Sequence, residues 1–177
     1  MSTMPVGDLV ERGSARAWAV KSTDGIYRYA LGRMWDPGLP VLVVVGQNPS
    51  KADHERGDMT VAKVCGFGRR LGYGSVVMLN PWARIATDGD ELADGTCDPV
   101  GPANDHILKT WLSRCEAPVA AWGTPKIGNW TRAAIDTRLF VVKKMAAAWL
   151  CWGLTKQGGP KHPSRLAYAT MLRAYAR

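Results

Sequence analysis

The side chains best suited to chemistry in this 177-residue chain fall in four short stretches. "VLVVVGQNPS" (41–50) ends on Gln47, Asn48 and Ser50, and "SVVMLNPW" (75–82) ends on Asn80 and Trp82. "AAWG" (120–123) ends on Trp122 and Gly123, and "KHPSRL" (161–166) carries His162, Ser164, Arg165 and Leu166. An Asn or Gln amide sets a donor beside an acceptor, the pair needed to read a planar ligand edge. An imidazole at 162 can donate to an oxygen on which charge develops, and a donor so placed contributes about 3–4 kcal/mol in a transition state. None of the three apolar runs ends on a carboxylate; Asp53 or Asp58, beyond the first run, would have to supply one. The alternatives are bland: Asn80 as a turn cap before Pro81, His162 as a surface side chain beside Lys161.

Something must position these turns. Runs of Val and Leu without alternation read as strands buried on both faces, as in parallel sheets. Gly46 and Pro49 stop the first run, and ligands of open parallel sheets bind beyond the carboxyl ends of the strands. Between the runs, 58–72 fits a helix begun by Asp58 with Val61, Val64, Cys65 and Leu71 inward. Residues 103–116 fit a second with Ile107, Leu108, Trp111 and Leu112 inward, and 125–136 a third. "LFVVKKM" and "AAAWLCWG" read as strand-like, 163–176 as a closing helix, and the 84–102 segment as a loop. Residues 16–35 read as an antiparallel hairpin around the turn 22–25, after a poorly ordered or helical extension over 1–15. The expectation is one domain over 1–177, an α/β three-layer sandwich with a short, mostly parallel central sheet and an N-terminal β-hairpin.

Composition narrows the partners. With 46% hydrophobic and 21% charged residues the chain reads as globular. It has no apolar run near the ~18–20 residues of a membrane span and no signal-peptide pattern, so a cytoplasmic protein without membrane contact is expected. Cys65, Cys97, Cys115 and Cys151 form no CxxC pair, so no metal site and no cofactor are expected. The net charge is +8. Six acids and no Lys or Arg lie between Asp88 and Asp105, so the rest of the chain carries 23 basic against nine acidic residues, +14. A polyanion, DNA above all, is the partner this charge suggests. A monomer is expected.

The order GQNPS, VMLNPW, AAWG, HPSRL resembles the uracil-DNA glycosylase superfamily, whose motifs are of the GQDPY or GINPG, LLLN, LWG and HPSPLS kinds. At closer range "NPSKAD", "GFGRRLGYG", "DPVGPAND" and "TKQGGPKHP" resemble a phage and bacterial family of unknown function carrying NPSxAD, GFxRRxGYG, DPVGPxND and TKxGxPxHP. The glycosylase resemblance implies cleavage of an N-glycosidic bond of a base flipped out of DNA. In that reading Asn48 orients water and His162 stabilises the departing base, while Gln47, Ser50, Asn80 and Trp82 form the base pocket. Asn48 stands where the fastest members carry Asp, which implies slow catalysis or none. Ser50 replaces a Tyr that bars 5-methyl groups, which implies a 5-substituted pyrimidine. Ser164, Arg165 and Leu166 would meet the DNA, Leu166 or Arg165 filling the vacated stack, with Arg69 and Arg70 on phosphates. Against these stand Leu166 as a core contact, Arg69 and Arg70 as a solvated helix face, and Trp82 and Phe67 as core. Two other readings stay open: a catalytically weak or inactive binder of modified or single-stranded DNA, and an enzyme of free nucleosides or nucleotides.

Overall fold

The computed structural model describes residues 9–50 and 59–175. Eight strands form one sheet: β1 (Leu9–Ser14), β2 (Ala17–Ser22), β3 (Arg28–Met34), β4 (Val41–Val45), β5 (Ser75–Leu79), β6 (Val119–Ala120), β7 (Leu150–Cys151) and β8 (Arg173–Ala174). Their order is β1-β2-β3-β5-β4-β6-β7-β8. Four helices are interleaved: α1 (Met59–Arg70), α2 (Gly89–Leu92), α3 (Asn104–Leu112) and α4 (Arg132–Lys143).

This corrects the expected sheet. Only β5-β4-β6-β7 is parallel, and the sheet as a whole is mixed, with more antiparallel than parallel neighbours. The hairpin foreseen around 22–25 forms, but it is no appendage. β1 joins it as a third strand, and β3 pairs antiparallel with β5, Leu31 opposite Met78. The physical reason is burial. Arg28–Gly32 are buried throughout, so β3 is an interior strand that needs neighbours on both sides. Residues 9–14 are therefore strand; residues 1–8 lie outside the described residues.

The inner strands bury both faces by alternation. Val43, Val45, Val77 and Leu79 face one cluster with Leu108 and Leu112 of α3 and Ile135, Leu139 and Val142 of α4. Leu42, Val44, Val76 and Met78 face the other, with Val61, Val64 and Phe67 of α1. Cys65 is only half-buried and Leu71 lies 37% exposed beyond the end of α1. Asp58, the expected helix start, lies outside the described residues. In α3, Ile107 and Trp111 pack only partly against the core.

Two further readings are corrected. "LFVVKKM" lies mostly inside α4, where Leu139 and Val142 point inward while Phe140 and Val141 are exposed. Four apolar residues in a row mimic a strand, yet the helix is capped at Thr131, whose hydroxyl accepts from Ala134 N–H at 3.2 Å. The closing helix is absent: Pro163–Arg165 form one 3-10 turn, and the chain then extends to β8. Its anchors explain why. Leu166 and Leu172 pack on the α1 side of the sheet and Tyr175 on the α4 side, so the segment is stretched across the edge.

Candidate functional site

Within the parallel segment, β4 leads outward to β5 on one side, while the chain later enters β6 on the other. In parallel sheets ligands bind beyond the carboxyl ends of the strands at such a reversal. Four turns meet there.

The first two are stitched together. Gly46 N–H donates to Leu79 C=O at 2.9 Å, and a Cβ at Gly46 would lie 3.0 Å from Asn80 Nδ2. The Asn80 amide thus lies against the first turn. The residue as a whole is 5% exposed, and its side chain makes no hydrogen bond among the described residues. Its backbone is fixed from behind. Fully buried Asn104 donates from Nδ2 to the carbonyls of Asn80 (3.1 Å) and Pro81 (2.9 Å). Arg138 Nε donates to Pro81 C=O at 2.8 Å, and its guanidinium pairs with Asp105 at 2.7 Å. "DPVGPAND" therefore supplies Asn104 and Asp105 as the clamp on "LNPW". The sequence reading assigned no role to Asn104, Asp105 or Arg138; the motif was visible, its target was not.

Asn48 has a divided role. Its Nδ2 donates to Ala86 C=O at 2.8 Å and Pro49 C=O at 3.2 Å, while Ala86 N–H donates to Pro49 C=O at 3.0 Å. One end of the amide is structural, which leaves Oδ1 as the acceptor. Gln47 and Ser50 are partly exposed beside it, and buried Arg28 reaches Ser50 C=O at 3.4 Å. Lys51 to Asp58, including Asp53, lie outside the described residues.

Trp82 is placed differently from a base-stacking ring. It is 1% exposed and meets Trp130 edge-on, in the core. Trp122 is likewise buried, between Trp149 and Tyr175. Phe67 packs on Trp152.

The third turn carries the final loop. Thr124 and Thr155 share a hydroxyl hydrogen bond of 2.8 Å, and a Cβ at Gly159 would lie 2.6 Å from Thr124 Oγ1. Gly158, at φ +81°, closes the Thr155 turn, whose hydroxyl accepts from Gly159 N–H. Lys161 N–H donates to Gly153 C=O at 2.8 Å. This "TKQGGPKHP" loop brings His162 to the same edge of the sheet as Asn48 and Asn80. The exposed His162 ring accepts from Ser164 N–H through Nδ1, which also lies 2.9 Å from Ser164 Oγ. With Nδ1 accepting, the neutral ring carries its proton on Nε2.

Arg165 is exposed, whereas Leu166 packs partly against the core. Arg69 and Arg70 close the last turn of α1, which runs from the carboxyl edge towards the amino edge, so they are remote from the four turns. At the rim, Arg84 is bidentate to Asp94, at 2.6 Å through Nη2. That bond, aided by donation from Thr96, holds the Asp94 carboxyl well below the usual range. No group of three His, Cys, Asp or Glu able to hold a metal occurs among the described residues, and none of their helices is long and apolar enough to cross a membrane.

An α/β protein whose parallel strands end in turns bearing amides, hydroxyls and an imidazole is what fold and site define. The chain belongs to the family described as Protein of unknown function (DUF1643), whose model matches residues 28–164. No curated protein and no solved structure matches it. The likeness to the glycosylase superfamily rests on the four motifs alone.

Proposed function

We propose that these turns form a crevice for a nucleobase turned out of a DNA strand, and that the protein cleaves or otherwise processes the bond to its sugar. The observation that carries this is the Asn80 side chain. Asn80 is 5% exposed and its side chain makes no hydrogen bond to the described residues, so its amide donor and acceptor are open to a ligand edge offering an acceptor and a donor. A pyrimidine has such an edge. Asn104 and Arg138, the latter paired with Asp105, hold the backbone that carries that amide, as recognition requires. Asn48 Oδ1 orients water, and His162 donates from Nε2 to the base oxygen as charge develops. Small Ser50 leaves space for a 5-substituent. Ser164 and Arg165 lie where the strand enters.

A second reading, recognition without cleavage, is favoured by one observation. Asn48 is held by Nδ2 in a purely structural bond, and the turns 46–50, 80–83 and 121–125 contain no carboxylate to balance a sugar cation. One experiment separates the two: single-turnover incubation with DNAs carrying uracil, thymine mismatches or 5-substituted pyrimidines, followed by detection of abasic sites. Base release lost in His162→Ala and Asn80→Ala supports the enzyme. Tight binding of one such base, lost in Asn80→Ala and without release, supports the binder. Neither release nor base-dependent binding ends both.

A further inference from the structure

We propose that the exposed face of α1 carries the phosphodiester backbone of the strand whose base enters the crevice. This rests on the nucleic-acid reading above and gives that strand a path. α1 contains no acidic residue, and Lys63, Arg69 and Arg70 pair with no carboxylate of the described residues. Their partners are rings. Lys63 Nζ lies 3.7 Å and the Arg70 guanidinium 4.0 Å from the centre of Tyr168, and the Arg69 guanidinium lies 4.1 Å from that of Trp35.

The "GFGRR" stretch builds these seats. A Cβ at Gly66 would lie 2.6 Å from Tyr168 Cε1, so the ring rests on bare helix backbone. A Cβ at Gly68 would lie 3.1 Å from Trp35 Cη2, so the second ring is seated likewise. Each glycine admits a ring, and the rings fix the cations. A stacked guanidinium keeps its N–H edges for a planar anion and loses little rotamer freedom on binding one. Cations held in place without being neutralised are a preorganised polyanion contact. Tyr168, covered by Lys63 and Arg70, acts as their fixture and offers no base-stacking platform.

Continuity supplies the choice of polyanion. The 3-10 turn Pro163–Arg165 packs on α1 and carries Ser164 and exposed Arg165 directly after His162. From there the basic face follows a helix of about 18 Å towards the amino edge of the sheet. A nucleic-acid strand leaving the crevice at His162 has this face as its exit.

The test is the salt dependence of binding to a dye-labelled oligothymidylate between ~50 and ~200 mM salt. At about 0.7 per phosphate contacted on single strands, the triple variant Lys63→Gln, Arg69→Gln, Arg70→Gln should flatten the log–log slope by about 2 and weaken low-salt binding more than tenfold. Tyr168→Leu keeps every charge, so it should weaken binding several-fold while leaving the slope in place. Circular dichroism checks folding. An unchanged slope in a folded triple variant overturns the proposal, as does a wild-type protein that fails to bind the oligonucleotide. Equal, α1-dependent binding to polyglutamate or to phosphatidylserine vesicles also overturns it, in favour of an acidic protein or an anionic membrane. Loss of slope without base release in any assay fails the catalytic reading and leaves this one standing. Base release with an unchanged slope does the reverse.

Discussion

Asn48 and Asn80 are the same residue type at neighbouring strand ends, and their hydrogen bonds set them apart. The glycosylase resemblance makes Asn48 a weakened Asp, so that Asn48→Asp would restore a carboxylate beneath the sugar. The geometry argues otherwise. Nδ2 donates to two carbonyls, and a carboxylate there would lose both bonds and face two oxygens. Asn48→Asp is expected to lower stability by about 1–3 kcal/mol and to speed base release on no substrate. Asn80→Ala removes a side chain with no hydrogen bond, so it should change stability far less while abolishing base-dependent binding. Urea denaturation beside single-turnover release checks the pair. A faster Asn48→Asp enzyme would show that the turn rearranges on binding.

At the scale of elements, the final loop is held by fit. A Cβ at Gly159 would collide with the Gly123 carbonyl and lie 2.9 Å from Gly123 C, both backbone atoms unable to yield. Gly159→Ala should therefore cost about 1–3 kcal/mol and displace His162 from the crevice edge, read as a lower melting temperature and a shifted His162 ring resonance. The residues also show how much could be read from the chain alone. β4 and β5 were legible because an unbroken apolar run bounded by Gly or Asn has one meaning in a sheet buried on both faces. Asn48 and Asn80 at neighbouring strand ends followed from those runs and their turns, whereas Trp122, expected beside them, lies in the core. The Asn104 clamp was not legible, because it joins residues 24 apart in sequence through a backbone carbonyl that no side-chain pattern advertises. β8 was hidden for a similar reason. Tyr168, Leu172 and Tyr175 have near-helical spacing, and only their seats on opposite faces of the sheet stretch them out.

For the whole molecule, most acids of the acidic stretch are engaged in contacts of their own although they lie at the surface. Asp94 and Asp105 pair with Arg84 and Arg138, while Asp88 and Asp98 cap their own turns. These acids fasten the rim of the crevice, and the uncompensated positive charge is left to other surfaces. The Arg84–Asp94 pair makes stability sensitive to acid. The folded-state pKa of Asp94 is depressed, chiefly by Arg84. Its contribution is therefore complete above the ordinary carboxyl value of about 3.9 and is lost as pH falls through the lower folded value. Asp94→Asn leaves buried Arg84 without its counter-ion, so it should lower the urea midpoint at neutral pH and flatten its decline below about pH 4. A decline as steep as the wild type's would assign the acid sensitivity to other carboxylates.

The strand order also sets a sequence in time. β4 meets β5 across a separation of 34 positions, Val41 opposite Ser75, but meets β6 across 75, Val44 opposite Val119. Closure entropy rises with that separation, and distant pairings are the slower to nucleate. Asn48 and Asn80, the residues proposed to read a ligand, belong to the early pairing. The loop that carries His162 is tied to Thr124 and so follows the late one. On the proposed reading, a chain caught between the two steps would hold the recognition amides and still lack the imidazole.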